Sequence, residues 1–242
     1  MKASKPPPAD RIQRVKTGIP GFDAMLGGGL VGNSITVVRG DMGTAKTLLG
    51  LQYLYHGASK LKEPGVYMSF YESADAVFSH GAAFGWDFKD LSDKGLFQAV
   101  KYNPHEIIKS MKEGGGIVRD TIESMHTKRL VVDSITAYQL FFESRYEADQ
   151  SLLNFFEMMK TWNVTTLATA ELAVSLSRSP DDRLGFLADG VINLYQLRKR
   201  FTRIRALEVV KMRDTVHSEQ ISLFTIGDHG LELIEGGDRS SD

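Results

Sequence analysis

Gly40-Asp41-Met42-Gly43-Thr44-Ala45-Lys46-Thr47 constrains this chain more than any other stretch. An apolar, β-branched run, Ser34-Ile35-Thr36-Val37-Val38, precedes it, and a helix-like pattern, Leu48 to Tyr55, follows. Strand, glycine-bearing loop, Lys-Thr and helix in that order is the local context of a loop that cradles phosphate. The backbone N–H groups of such a loop face inward, and the helix start adds the positive end of its dipole. Lys46 would reach β- and γ-phosphates, and Thr47 would hold Mg²⁺. The residue before the lysine, usually glycine, is Ala45. A methyl group costs little there if the local φ is negative, and that is the expectation. The plain alternative is a turn between strand and helix that binds nothing. The Lys-Thr pair and an aspartate-ended strand further on weigh against it.

Length and composition bound the rest. A chain of 242 residues with 42% hydrophobic content can bury a substantial core in one α/β domain. Its net charge of −1 provides no whole-molecule field for nucleic acid or membrane. The absence of cysteine excludes disulfides and thiolate chemistry and suits a reducing compartment. No apolar run approaches the roughly 18 residues of a membrane span, and the polar, proline-rich start lacks a signal-peptide core. The expectation is a cytoplasmic protein with a tail over 1–11, a domain over 12–236 and a second tail over 237–242.

Along the chain, residues 12–30 carry glycines that demand turns, and read as a lead-in loop or as cover for the edge of a site. Gly65 to Phe70 is a strand ending in Tyr71-Glu72-Ser73. In an open parallel sheet, ligands sit beyond the carboxyl ends of strands. Glu72 therefore stands where an acid near a γ-phosphate would be, or is an exposed acid at a helix start. If the strand stays extended, Glu72 faces away from Tyr71. Leu96 to Val100 is a further strand, and 103–116 reads as a flexible polar loop. Ile117 to Met125 reads as a helix. Arg129-Leu130-Val131-Val132-Asp133-Ser134 is an apolar strand ended by an aspartate, the form that holds a Mg²⁺ shell. A core-facing helix at 147–162 and a buried strand at 164–170 follow. Glu171 at its end is a second candidate for positioning water or sensing phosphate. Residues 171–189 read as a long functional loop.

From Gly190 onward, strand-like runs at 191–196, 203–212 and 220–226 lack intervening helices and should pair antiparallel at the sheet edge. The turn from Leu197 to Arg205 carries Arg198, Lys199, Arg200, Arg203 and Arg205. It reads as a solvated hairpin or as a contact for phosphate or a partner.

Several segments now stand in one order: Thr17-Gly18-Ile19-Pro20-Gly21-Phe22-Asp23, the glycine loop, Glu63-Pro64-Gly65-Val66, Phe84-Gly85-Trp86-Asp87, Val132-Asp133-Ser134, Lys211-Met212-Arg213 and Asp228-His229-Gly230. In this the chain resembles the KaiC family, a branch of the RecA/RadA P-loop ATPases, from about Arg14 to Leu233. The resemblance implies a RecA-like α/β fold, with a mainly parallel central sheet flanked by helices and antiparallel C-terminal strands. It implies ATP bound between subunits of a homo-oligomeric ring, a hexamer. Gly40 and the run Gly43, Thr44, Ala45, Lys46, Thr47 and Leu48 would bind the triphosphate of their own subunit, with Thr47 and Asp133 at the Mg²⁺. Lys211, Met212, Arg213, Thr215, His217 and Asp228 would approach the nucleotide of the neighbour, Arg213 as an arginine finger.

Two departures from the family pattern bear on rate. Where the family has paired acids after the second strand, this chain has Tyr71 and only Glu72. A tyrosine is neutral at pH 7 and a poor base. Asp214 stands where the family usually has glycine, and brings negative charge beside the trans contacts. The tandem second domain and phosphorylation segment of clock KaiC have no counterpart here, so no circadian role is expected. The reading is a slow ATPase with a signalling or regulatory role and an unidentified client protein. The alternatives are an ATP-binding scaffold that does not hydrolyse, and a DNA-acting relative, disfavoured by the near-neutral charge.

Overall fold

The computed structural model describes residues 12–112, 116–171 and 183–234. Both expected tails, Gly114 and Gly115, and most of the long loop (172–182) lie outside the described residues. In chain order the elements are β1 (Arg14–Val15), α1 (Phe22–Met25), β2 (Leu30–Val31), β3 (Ile35–Gly40), α2 (Lys46–His56), β4 (Gly65–Ser69), α3 (Ala74–Ala82), α4 (Phe88–Asp93), β5 (Phe97–Lys101) and α5 (Pro104–Lys112). They continue with α6 (Gly116–Ser124), β6 (Arg129–Asp133), α7 (Ile135–Gln139), α8 (Arg145–Thr161), β7 (Thr165–Glu171), α9 (Arg183–Leu187), β8 (Gly190–Lys199), β9 (Thr202–Met212), β10 (Ser222–Gly227) and β11 (Gly230–Leu233).

Among the described residues a nine-stranded sheet runs β11-β10-β9-β8-β3-β7-β6-β4-β5. From β8 to β5 every neighbouring pair is parallel, and β9, β10 and β11 are antiparallel. This is the mainly parallel α/β fold with antiparallel C-terminal strands. The central strands are buried on both faces, which is why they read as nearly continuous apolar runs. Alternation then divides their side chains between two cores. Val38, Tyr67, Val131 and Leu167 join the core under α2, with Leu49, Leu54 and Phe88. Val37, Met68, Val132 and Ala168 join the core under α8, with Tyr138, Phe155 and Phe156. Gly40 ends β3 where a Cβ would lie 2.4 Å from the Leu194 carbonyl oxygen, so only glycine lets β3 and β8 approach there.

The lead-in segment is ordered by packing. Arg14 and Val15 pair antiparallel with Val31 and Leu30, Asp23 Oδ1 accepts from both the backbone N–H and the hydroxyl of Thr17 at 2.8 Å, and Ile19, Phe22 and Leu26 are buried.

Three expectations are corrected. The polar stretch expected as a loop over 103–116 forms α5 from Pro104. Glu106 Oε2 accepts from the Asn103 N–H at 2.8 Å, and Asn103 Oδ1 accepts from the His105 N–H at 3.0 Å. With Pro104 at the first helical position and Ile107 buried, a short amphipathic helix outweighs the polar composition. The loop expected over 171–189 holds the short helix α9 at its C-terminal end. The basic turn is much tighter than 197–205. Arg198 pairs with Arg203 and Lys199 with Thr202, which leaves Arg200 and Phe201 at the tip.

Candidate functional site

The carboxyl ends of β3, β4, β6 and β7 converge on one cleft of about 530 Å³. Its lining includes the polar and loop residues Gly43, Ala45, Lys46, Thr47, Tyr71, Glu72, Asp133 and Glu171, and the apolar side chains Leu48, Leu51, Ala83, Phe84 and Ile226. Register explains the convergence. Gly40 pairs with Glu171 and Ser69 pairs with Asp133, so the loops leaving those strands open on the same side of the sheet.

The glycine loop closes on itself. The Thr44 hydroxyl donates to the Asp41 carbonyl at 2.8 Å. Lys46, 8% exposed, lies back across the loop and donates Nζ to the carbonyls of Gly40 at 2.9 Å and Asp41 at 3.0 Å. Burial pulls its pKa below the ordinary lysine value, against the opposing charges of Glu171, Asp133 and Asp41. Gly43 has φ of 81°. Ala45 has φ of 76°, in the left-handed region. The expectation of a negative φ at Ala45 is therefore wrong: the loop must turn left-handed to enter α2, and the methyl group is carried there under strain. Gln196 on β8 touches the loop from the side. With the amide turned so that each end meets a complementary group, its nitrogen donates to the Gly43 carbonyl at 3.2 Å and its oxygen accepts from Arg203 Nη1 and Nε at 3.0 and 3.2 Å. The basic hairpin thus reaches the loop through one amide.

Asp133 is the hub of the site. Its Oδ2 accepts from the Thr47 hydroxyl at 2.7 Å and from the Tyr67 hydroxyl at 2.6 Å, and its Oδ1 accepts from Thr169 at 2.5 Å. Tyr67 also reaches Glu72 Oε2 at 3.2 Å, and His80 Nδ1 lies 3.7 Å from Glu72 Oε1. Burial above all, then the charge and hydrogen bond of Asp133 and the charge of Glu72, push the Tyr67 phenol far above its ordinary value, so it stays a donor. Tyr71 is 51% exposed. Burial first, then the charges of Asp133 and Glu72, also raise its phenol, so it is a neutral group where a carboxylate would be charged. The expectation that Glu72 faces away from Tyr71 is corrected. β4 ends at Ser69, whose Oγ accepts from the N–H groups of Tyr71 and Glu72 at 3.3 and 3.0 Å. That turn brings both side chains into the cleft.

The residues assigned by resemblance to the neighbour's nucleotide lie elsewhere. Met212 pairs with Gly190, which pairs with Thr36 near the start of β3, so Lys211 and Arg213 sit at the end of the sheet opposite the glycine loop. Lys211 Nζ donates to the Gly185 and Ala188 carbonyls, each at 2.8 Å. Arg213 Nη1 lies 3.1 Å from Asp189 Oδ1. Met212 is buried in the core. Arg14 Nη1 donates to Thr215 Oγ1 at 2.6 Å, His217 Nδ1 lies 3.0 Å from the Ser218 carbonyl oxygen, and Asp228 is exposed in the β10–β11 turn. Asp214 has φ of 55°, a conformation suited to glycine.

Sequence reasoning did not place Tyr67, His80, Ala83, Phe84 or Ile226 at the site, although Phe84 stands in one of the segments that carry the resemblance. The signal for Tyr67 was a lone hydroxyl-bearing ring inside an otherwise apolar buried strand, a group that needs a partner.

A parallel sheet with a glycine loop after its central strand, and an aspartate at the end of a strand two places away, define the RecA-like P-loop class of α/β proteins. Comparison with known proteins gives the particular branch. The KaiC ATPase family matches residues 15–238, and the chain belongs to that family. It is 34% identical over 230 residues to the circadian clock oscillator protein KaiC of Prochlorococcus marinus subsp. pastoris, covering 91% of this chain and 45% of that protein. With KaiC of Synechococcus elongatus the identity is 30%, over 93% of this chain and 45% of the relative. The chain therefore spans about half the length of these relatives. The crystal structure of a KaiC-like protein from Pyrococcus horikoshii OT3 superposes with a TM-score of 0.82 at 32% identity, over 92% of this chain and 99% of that one.

Proposed function

We propose that this chain binds Mg-ATP in the cleft and hydrolyses it slowly, within a nucleotide-dependent homo-oligomeric ring, a hexamer, that serves a signalling or regulatory role with a client protein. The observation that carries this reading is the meeting of Lys46, Thr47 and Asp133 in one cleft, with the Thr47 hydroxyl 2.7 Å from the Asp133 carboxylate. A hydroxyl and a carboxylate are hard oxygen donors that fit Mg²⁺. Among the described residues, no group of three or more His, Cys, Asp or Glu could hold a metal ion. An ion held by Thr47 and Asp133 would complete its shell with phosphate oxygens and water, the usual arrangement for Mg²⁺ on a nucleotide. When bound, Mg²⁺ would neutralise charge on the phosphoryl group. Lys46 and the N–H groups of Gly43 to Leu48 would cradle the phosphates, and Leu51, Ala83, Phe84 and Ile226 would receive the base. The cleft volume falls within the range of about 300–1,000 Å³ usual for small-molecule sites.

Slow turnover follows from Tyr71. Loss of a positioned general base typically costs about 10² to 10⁴ in rate, and Glu72 and Glu171 are the acids of the cleft left to position water besides Asp133. The same observation favours a second reading, an ATP-binding scaffold that hydrolyses nothing. A cytoplasmic setting fits a chain without cysteine. Nucleic acid is no part of the reading, because a net charge of −1 provides little phosphate neutralisation.

ATP turnover measured beside nucleotide binding on one sample separates the two readings. Lys46→Ala should weaken Mg-ATP binding by about ten- to a hundredfold, the loss of a charge-assisted hydrogen bond. Tyr71→Glu should raise turnover. Unchanged affinity in folded Lys46→Ala rejects the phosphate site. Brisk wild-type hydrolysis that Tyr71→Glu leaves unaltered rejects the account of the missing base.

A further inference from the structure

Tyr67 is fully buried on β4, yet its hydroxyl ends between two carboxylates. It lies 2.6 Å from Asp133 Oδ2 and 3.2 Å from Glu72 Oε2. A phenol has one proton to donate. A tyrosine phenol is neutral at pH 7, so the hydroxyl shares its one proton between the two acids, with the shorter contact to Asp133 and the longer to Glu72. The two acids are not equally supported. Asp133 also accepts from Thr47 and Thr169 and keeps two donors if Tyr67 is removed. Among the described residues Glu72 accepts a side-chain hydrogen bond from Tyr67, and its other charged-group neighbour is His80 at 3.7 Å. Glu72 also lacks the constraint of a regular strand, because β4 ends three residues earlier.

Resting on the function proposed above, we propose that Tyr67 is the positioning residue of this site. It ties the Glu72 carboxylate to Asp133 and so holds Glu72 where it can orient the attacking water, the task Tyr71 cannot perform. Tyr67 does not itself touch nucleotide or water. It works by fixing one acid relative to the residue that would hold the metal. Two carboxylates close together repel each other unless a donor lies between them. Without the hydroxyl, Glu72 swings away toward solvent while Asp133 stays in place.

The test is a cycle of Tyr67→Phe, Glu72→Gln and the double variant, with three readouts. Tyr67→Phe keeps the ring and its packing. It should lower kcat by about tenfold or more while leaving KM and the dissociation constant for Mg-ATP within about threefold. In the Glu72→Gln background it should cost nothing further, because its effect runs through Glu72. The third readout needs no nucleotide: the Tm shifts of the two single variants should fail to add in the double variant, as they must if the pair interacts in the resting protein. Loss of Mg-ATP affinity in Tyr67→Phe equal to its loss of kcat would make Tyr67 a structural support for Asp133 and overturn the proposal. Additive losses in the double variant overturn it as well. A wild-type chain that binds Mg-ATP but turns none over overturns the proposal and leaves the nucleotide site standing. A chain that binds no nucleotide overturns both.

Discussion

Ala45 shows at the scale of one residue how a local rule can yield to a loop. Its φ of 76° places a Cβ where glycine would carry none, at a cost of about 1–2 kcal/mol for an L-residue. The strain sits between Gly43 and the buried Lys46, where the loop must change hand to start α2. Ala45→Gly removes the strain and returns part of the gain as unfolded-chain entropy. The expected result is a stability gain of about 1 kcal/mol in urea unfolding. A loss of stability would mean that the methyl group packs usefully against the core, and that packing outweighs strain. The alanine was visible in the sequence. The sign of φ was not, because one missing glycine does not say which residue of a loop takes the left-handed turn.

Among the elements, α2 links the cleft to the far side of the fold. Its first turn carries Lys46 and Thr47, and its last residue, His56, packs against Gly18 so closely that a Cβ there would lie 2.3 Å from the His56 Cβ. Burial lowers the His56 pKa below the ordinary histidine value, and the Arg129 guanidinium lowers it further. Asp23 and Glu63 oppose the shift and Lys60 adds to it. The folded protein therefore takes up this proton less readily than the unfolded chain. The contribution to stability is present above about pH 6.5 and is lost as pH falls below it. Urea unfolding at pH 7.5, 6 and 5 should show wild type losing more stability on acidification than His56→Gln. Equal losses would mean that His56 titrates as it does in the unfolded chain. At the same scale, α5 was missed because its composition is polar. Its start was nonetheless written in Asn103-Pro104-His105-Glu106, a capping pattern that composition conceals.

For the whole molecule, the decisive fact is that Lys211 and Arg213 lie at the opposite end of the sheet from Lys46. No motion of side chains within one chain brings them to the cleft, so a role at phosphate requires a second copy. If the ring reading is right, light scattering at micromolar protein should show Mg-ATP raising the oligomeric mass. Lys211→Ala should weaken that response more than it weakens nucleotide binding. A strict monomer with and without Mg-ATP would reject the ring. Asp214, at φ of 55° beside Arg213, adds negative charge at that end, and Arg14 holds its carbonyl at 3.1 Å.

The glycine loop, the order of the parallel strands' apolar runs, Asp133 and the antiparallel C-terminal strands were all determined by the sequence. Each depends on local chemistry: a turn that needs glycine, an apolar run buried on both faces, an aspartate just past its end. What only the tertiary structure decided is which side chains share an atom-to-atom contact across strands. Strand alternation says that Tyr67 and Met68 face opposite cores. It does not say that the β4–β6 register brings the Tyr67 hydroxyl to Asp133. Nor does it say that the turn after Ser69 swings Glu72 into the cleft beside Tyr71. Those contacts depend on register and turn geometry, which are fixed by packing over the whole sheet and leave no mark in any single stretch of residues.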